Sequence, residues 1–342
     1  MSRVLVAMSG GVDSAVTAAL LKQEGHDVTG VTLKLWGGPQ DQGCCSVSDV
    51  DDARRVAQQL DLDHFVFNYG DEFDEHVVEP YVDAHAQGLT PNPCIECNRH
   101  IKFDALLDRA RRLGFDALAT GHHARIIETD HGLRIARGVD QTKDQSYVLY
   151  MIPQDDLTIL KFPVGEMTKT RVRELAGRLG LRSANKPDSQ DVCFITASEG
   201  RARFLSDRLD VHPAEIVDTE GKNLGSVNAV ELVTIGQRKG LDLGGNAERS
   251  YAIEVDVPSR RVVVGDAQDL LSQTVRLTDH IWAGQPYFGL IDAQISAHGE
   301  QAPAQVNADG SMRWLETRRK VAPGQAVVFY ENDAVVGGAT AR

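Results

Sequence analysis

Two groups of residues in this chain have types and spacings suited to chemistry. The first is Ser9-Gly10-Gly11-Val12-Asp13-Ser14. Two glycines let the backbone turn sharply and approach a ligand closely. Consecutive N–H groups then converge at a helix N-terminus, whose dipole favours an anion. Ser9 and Ser14 add hydroxyl donors. Asp13 sets a carboxylate beside the phosphates, which suits Mg2+ bridging the two. The lysine of G-x-x-x-x-G-K-[ST] is missing, and the run is not G-x-G-x-x-G. A glycine turn with an Asp/Ser helix cap is the plainer alternative.

The second group is thiols. Cys94 and Cys97 stand in Pro91-Asn92-Pro93-Cys94-Ile95-Glu96-Cys97-Asn98. The prolines predict an extended, non-helical segment, and C-x-x-C spacing predicts two sulfurs on one side of a tight turn. Arg99, His100 and Lys102 follow, and positive charge favours a thiolate. Three readings compete. A zinc knuckle lacks its second C-x-x-C pair. A thioredoxin-like pair is disfavoured because the motif is not expected to open a helix. The third is a catalytic thiol. Cys193 lies in Val192-Cys193-Phe194-Ile195, where a small buried hydrophobe is the simplest reading. Its run-in of Asp188, Ser189, Gln190 and Asp191 speaks against a purely apolar role. Cys44-Cys45 suggests no role.

The elements that must position these residues follow from composition and periodicity. Of 342 residues, 42% are hydrophobic and 25% charged, which excludes a mostly disordered chain or a coiled coil and leaves room for two or three domains. Apolar runs are too short for a membrane span. The N-terminus lacks an apolar signal region, so a cytoplasmic protein is expected. Five cysteines, an odd number, are no disulfide framework. The net charge of −13 speaks mildly against nucleic-acid binding. Two basic islands run the other way. Residues 99–112 carry a net +3 and residues 169–186 a net +5. Solvated helix faces are the simpler account of both.

Val4–Met8, Val28–Leu33, His64–Phe67 and Ala117–Thr120 read as strands. Val12–Gln23, Asp49–Leu60 (capped by Asp49), Lys102–Leu113, Thr170–Leu179 and Ala202–Leu209 read as helices. Strands alternating with helices mean βαβ units and an α/β, doubly wound parallel sheet. After residue 198 short β-rich runs take over: Ala214–Val217, Glu231–Thr234, Tyr251–Val257 and Arg261–Val264. Six more follow between Val275 and Gly338, suggesting an antiparallel barrel. The expected domains are 1–198, a small β-rich central domain 199–269, and a C-terminal β-barrel 270–342. No internal repeat is visible.

The Ser9–Ser14 loop after an N-terminal strand resembles that of the ATP pyrophosphatases, the PP-loop superfamily with an adenine nucleotide alpha hydrolase-like fold. With the cysteines, the resemblance narrows to the tRNA-specific 2-thiouridylases. Ser9–Ser14, Pro91–Lys102, Ala119-Thr120-Gly121-His122-His123, Lys143-Asp144-Gln145-Ser146-Tyr147, Asp188–Ile195 and Gly236-Gln237-Arg238-Lys239-Gly240-Leu241 carry it, in family order over about 240 residues.

The resemblance implies a sulfurtransferase with ATP and Mg2+. Its substrate would be tRNA for Lys, Glu and Gln, with sulfur placed on C2 of the wobble uridine after adenylation. It implies that Cys193 takes a persulfide from a sulfur donor protein or relay, and that Cys97 is the nucleophile forming a transient Cys97–Cys193 disulfide. Ala7, Met8, Ser9, Gly10, Gly11, Val12, Asp13, Ser14, Leu33 and Gly121 match nucleotide-binding positions. Asn92, Pro93 and Cys94 match the segment that meets the target base. Lys143, Asp144 and Gln145 match a tRNA contact. A flipped-base pocket and a monomer are expected.

Some relatives carry Asp at the position of Cys94, and many carry Arg-Tyr where this chain reads Ser296-Ala297-His298-Gly299. The thiol at Cys94 raises an alternative in which Cys94, Cys97 and Cys193 hold an iron–sulfur cluster. A remoter alternative is an amide-forming synthetase of the same superfamily, which would need no thiols. His122 and His123 fall beside the nucleotide crevice with no catalytic role assigned, and Gln237-Arg238-Lys239 has none either.

Overall fold

The computed structural model describes residues 1–35, 47–188, 192–195, 200–243 and 250–342. Cys44, Cys45, Ser189, Gln190, Asp191 and the domain boundary expected at 198 lie outside the described residues. Among the described residues, no helix is long and apolar enough to cross a membrane.

Strand β1 (Arg3–Ala7) runs into helix α1 (Val12–Gln23), then β2 (Asp27–Lys34), α2 (Val47–Gln59) and β3 (Asp63–Asn68). Short helices α3 (Gly70–Phe73) and α4 (Glu79–Ala86) lead to α5 (Pro93–Glu96) and α6 (Leu106–Arg112), and then to β4 (Ala117–Thr120). A hairpin, β5 (Ala124–Thr129) and β6 (Gly132–Arg137), precedes β7 (Leu160–Lys161), α7 (Lys169–Arg178) and α8 (Gly200–Ser206). The first sheet has the order β3-β2-β1-β4-β7, and all its pairings are parallel.

The sheet is covered on both faces, because side chains alternate along a strand. Val4 and Val6 of β1 pack with Val16, Val56 and Val172 from α1, α2 and α7. Leu5, on the opposite face, packs with Phe73, Ile101 and Leu107. The expected doubly wound α/β architecture is therefore present.

Helix α1 has the bounds its periodicity predicts, and Gly25 behind it takes a left-handed φ of 82°. Helix α2 begins two residues before Asp49, so Asp49 lies in its first turn and is not its cap. Its carboxylate instead pairs with Lys186 at 2.7 Å.

The sequence reading errs most at Pro91–Asn98. Backbone from Pro93 to Arg112 is one continuous helical run, α5 then wide π-type turns over Cys97–Ala105 then α6. The prolines by themselves predict an extended, non-helical segment. Pro93 instead sits in the first turn, where a missing N–H costs nothing. Asn92 caps the run, its side chain accepting from the Cys94 N–H at 3.0 Å.

The second sheet contains β8 (Ala214–Val217), β9 (Asn223–Val227), β10 (Asp242–Leu243), β11 (Tyr251–Asp256) and β12 (Arg261–Gly265) in the order β10-β9-β8-β12-β11. The strand expected at Glu231–Thr234 is instead a short 3-10 turn, Val230–Leu232. Glu231 is the reason: it is buried, and it accepts from both the backbone and the ring of His212.

The third sheet is built from β13 (Leu271–Trp282), β14 (Gly289–Gln294), β15 (Ala302–Val306), β16 (Ser311–Arg319), β17 (Ala326–Glu331) and β18 (Ala334–Ala341). Pairing of β13 with β18 closes these six antiparallel strands into the expected barrel. The hairpin β5–β6 joins its wall, Ala136 opposite Ala334.

Candidate active site

Strand order reverses between β1 and β4, and the carboxyl ends of strands at such a switch point are where α/β sheets bind ligands. The loop Ser9–Ser14 leaves β1 at that point, and Gly121 leaves β4. Gly11 is the N-cap of α1, which has no side-chain cap. The helix therefore offers its first turn to a ligand. Ser14 Oγ instead donates to the Gly11 carbonyl at 3.2 Å and accepts from the Ser9 N–H at 3.2 Å, which holds the loop shut on itself.

Two glycines are dictated by packing. Gly10 takes a φ of 73°, and a Cβ there would lie 2.5 Å from the Asp49 carbonyl oxygen. A Cβ on Gly121 would lie 2.6 Å from the Ser14 nitrogen. The β4 end thus presses directly on the phosphate loop. Ala7 is half-buried, Met8, Val12 and Leu33 are buried, and Ser9 is exposed.

Asp13 is the charged centre of the loop. Its carboxylate accepts from His123 Nε2 at 3.0 Å and from Lys169 Nζ at 2.9 and 2.7 Å. Lys169 Nζ also meets Asp188 Oδ1 at 2.9 Å. Asp188 in turn meets Lys143 Nζ and Arg173 Nη2, each at 2.7 Å. A chain of ion pairs therefore runs from the phosphate loop to Asp188, five residues before Cys193.

Burial alone raises the Asp188 carboxyl, but the hydrogen bonds and charges of Lys143 and Lys169 outweigh it and hold the group well below the carboxylate range. At Asp13, burial also raises, and His123 and Lys169 win, leaving it lowered. Carboxyls depressed in the folded state contribute stability that is complete above their unfolded value, 3.8, and is lost as pH falls through the folded values. Thermal-unfolding midpoints of the wild type should therefore drop steeply below about pH 4. Asp188→Asn should start lower and flatten that slope. An unchanged slope in Asp188→Asn would mean that other carboxyls dominate acid unfolding.

This network changes the meaning of the second basic island. Lys169, Arg173 and Lys186 are partnered inward, and Arg178 and Arg182 are exposed. In the first island, Arg111 pairs with Asp156, Arg112 with Asp108, and Arg109 lies over the Phe67 ring. Neither island is a simple solvated face. In the sequence Lys169 is one cation among six in this island. Nothing in its spacing marks a partner 156 residues away.

His122 is buried, and burial followed by the Lys102 charge drives its ring well below the usual histidine value, keeping it neutral. Its Nδ1 meets Thr120 Oγ1 at 2.7 Å, and its ring lies 5.8 Å from Phe103. The helical run that carries Cys97 thus packs against the Gly121-His122-His123 turn.

Cys94 is exposed, Cys97 is buried and Cys193 is part-buried. Cys97 belongs to the large core cluster on one face of the parallel sheet, and Cys193 packs against the same cluster. Phe194 anchors the second thiol, its ring centroid lying 5.1 Å from Phe204, 5.5 Å from Tyr81 and 5.7 Å from Phe73. Among the described residues, no group of three or more His, Cys, Asp or Glu side chains is placed to hold a metal ion. The three cysteines are therefore not placed as a ligand set for an iron–sulfur cluster.

Of the remaining candidates, Asn92 is the helix cap, with Pro93 buried behind it. Asp144 is buried and turned inward, accepting from the N–H groups of Gly138 and Ser146 and from the Ser146 hydroxyl. Gln145 is exposed and accepts from the His123 N–H at 2.9 Å. Lys143 alone of the three points a charge towards the Cys193 segment. Sequence reasoning also missed a barrel contact. The Thr90 N–H donates to the Pro323 carbonyl at 2.8 Å, docking a barrel loop just before Pro91.

Three family models match the chain in succession. One described as a tRNA methyl transferase HUP domain covers residues 2–197. One described as a tRNA methyl transferase PRC-barrel domain covers 202–266, and one described as an aminomethyltransferase beta-barrel domain covers 272–341. Among curated proteins, the tRNA-specific 2-thiouridylase MnmA of Chloroflexus aggregans is 46% identical over 351 residues, spanning 99% of this chain and 98% of that protein. Its counterpart in Roseiflexus sp. is 45% identical over 370 residues, with the same coverage. That of Carboxydothermus hydrogenoformans is 43% identical over 357 residues, spanning 99% and 97%.

Proposed function

The chain belongs to the tRNA-specific 2-thiouridylase family, and from that premise we propose that it thiolates C2 of the wobble uridine in tRNAs for Lys, Glu and Gln, with ATP and a persulfide donor. The observation that carries the reading is one of placement. A phosphate loop lies at the switch point, Cys97 and Cys193 meet one core cluster, and the Asp13–Lys169–Asp188 chain runs from the loop to a residue five positions before Cys193.

The C2 oxygen of a uracil is a poor leaving group. Its attack on the α-phosphorus of ATP expels diphosphate and leaves C2 bonded through oxygen to AMP, which departs readily. The loop Ala7–Ser14, with Leu33 and Gly121, holds the nucleotide. Gly121 lets the β4 end pack directly on the Asp13–Ser14 backbone, which holds the loop in the shape that turns its N–H groups to a phosphate. Mg2+, when bound, supplies neutralising charge beside the phosphates, and Asp13 is the carboxylate suited to hold it. Asn92, Pro93 and Cys94 meet the target base, and Lys143 and Gln145 face the tRNA. Asp144 serves by shaping that loop from inside.

For the sulfur half, Cys193 accepts a sulfane sulfur from a persulfide and releases the donor as a thiol. The Cys97 thiolate attacks the Cys193 sulfur of that persulfide. The Cys97–Cys193 disulfide forms, and the terminal sulfur leaves as hydrosulfide. Hydrosulfide adds to C2 and AMP leaves with the C–O electron pair. A dithiol reductant then returns two electrons to the disulfide, which suits a cytosolic setting. Residues 1–198 serve as the catalytic domain, with 199–269 and 270–342 as auxiliary domains. Two family models carry a methyl-transfer description, but methyl transfer gives a phosphate loop and a thiol pair nothing to do.

The test combines purified protein, ATP, a low-molecular-weight persulfide and an unmodified tRNA transcript. The expected result is 2-thiouridine at the wobble position, with AMP and diphosphate in equal amounts. Amide formation from ammonia, unaffected by Cys97→Ser, would instead identify an amide synthetase of the same fold.

A further inference from the structure

Lys169 is a nearly buried lysine, 9% exposed, with an ammonium that has no spare proton. Its three N–H donors meet three carboxylate oxygens: Asp13 Oδ1 at 2.9 Å, Asp13 Oδ2 at 2.7 Å and Asp188 Oδ1 at 2.9 Å. Its backbone is fixed as firmly. Lys169 is the first residue of α7, Thr168 caps that helix, and the Lys169 N–H donates to Asp140 Oδ2 at 2.9 Å. The phosphate loop itself contains no lysine, although a loop that holds a polyphosphate is usually served by one.

We propose that Lys169 is the cation that serves this loop, and that it acts as a positioning residue coupling nucleotide binding to Cys193. The inference rests on the functional reading above and deepens it. A phosphate oxygen reaching the loop gains a proton of Lys169 only if a carboxylate contact yields. Asp13 belongs to the loop itself and moves with it. Asp188 is the partner with other support, from Lys143 and Arg173, and is the one able to let go. Asp188 stands five residues before Cys193, a span of at most about 17 Å of extended chain. Phe194, just beyond the thiol, is fixed in its aromatic cluster. Cys193 thus lies between two anchored residues, Asp188 and Phe194, and the nucleotide acts on the first of them.

The experiment uses the full chain without tRNA and α,β-methylene-ATP, which cannot be cut at the bond this chemistry breaks. Binding is measured by calorimetry. Alkylation of Cys193 by iodoacetamide is followed by peptide mass spectrometry. In the wild type, the analogue should raise the Cys193 alkylation rate several-fold. Lys169→Met should bind the analogue about ten- to a hundredfold more weakly, the loss of one charge-assisted contact, and Lys169→Arg should recover part of it. Asp188→Asn retains Lys169 and weakens the contact that competes for it, so it should bind the analogue at least as tightly as the wild type while Cys193 reacts quickly and no longer responds. Wild-type alkylation that is unchanged or slowed by the analogue would overturn the coupling, as would undiminished binding by Lys169→Met. Should Lys169→Met fail to fold, Asp188→Asn carries the test alone. These outcomes are separate from the thiolation assay, whose failure would strike the functional reading instead.

Discussion

Cys193→Ser should abolish 2-thiouridine formation, by at least about a thousandfold, and still release one diphosphate per active site when ATP and tRNA are supplied. A serine oxygen cannot carry a sulfane sulfur, so the second half of the reaction has no starting point. The first half needs only the phosphate loop, the nucleotide and the base. Cys97→Ser should behave differently. It should still accept labelled sulfur on Cys193, but the label should remain there, because the thiolate that expels it is gone. Measuring diphosphate, thiolated tRNA and protein-bound label in one experiment separates the steps. If Cys97→Ser thiolates normally, the relay loses its second member. If Cys193→Ser also loses diphosphate release, the thiol is chiefly a packing element of the cluster around Phe194.

The second large effect is expected at Gly121. A methyl group there would lie 2.6 Å from the Ser14 nitrogen, 2.8 Å from the Asp13 carbonyl carbon and 3.0 Å from the Asp13 Cβ. These atoms cannot swing aside as a long side chain can. The strand end and the loop must separate, a strain of about 1–3 kcal/mol, and the convergence of N–H groups is lost with it. Gly121→Ala should weaken nucleotide binding by about tenfold or more and lower the unfolding midpoint. Gly177→Ala is the matching control. A Cβ at Gly177 meets nothing within 4 Å inside α7, so this change should stabilise by about 0.5–1 kcal/mol. Calorimetric titration with nucleotide and denaturant unfolding of both variants check the contrast. Unaltered nucleotide affinity in Gly121→Ala would mean that β4 is not part of the nucleotide seat.

Much of this architecture is legible in the sequence because it is local. Alternation of apolar strands with 3.6-period helices reports the parallel sheet. The glycine-rich turn reports its own position at the end of β1. What escaped is of two kinds. Prolines around Asn92 are ambiguous locally, since the same residue that ends a helix also suits its first turn. The Asn cap tips the balance, and it made the C-x-x-C pair part of a helix. The other misses are long-range. Lys169 meeting Asp13, Thr90 meeting Pro323 and hairpin β5–β6 joining the barrel wall link positions far apart in the chain. No periodicity or short motif records such pairings. Asp144 shows the same limit in reverse. Its place in Lys143-Asp144-Gln145, a stretch expected to contact tRNA, says nothing of its being buried and turned inward.

The seam between β6 and β18 also governs how the chain is born. Ala136 pairs with Ala334, roughly two hundred residues later, and beside that bridge Arg125 meets Asp333 and Ser146 meets Tyr330. During synthesis at about 5–20 residues per second, the hairpin emerges about 10–40 s before its partner strand. For that interval β6 presents an open edge. Nascent chains stalled before residue 334 should therefore be more susceptible to protease and chaperone binding than the released protein. The hairpin that follows β4 gains its second neighbour only once β18 has left the ribosome.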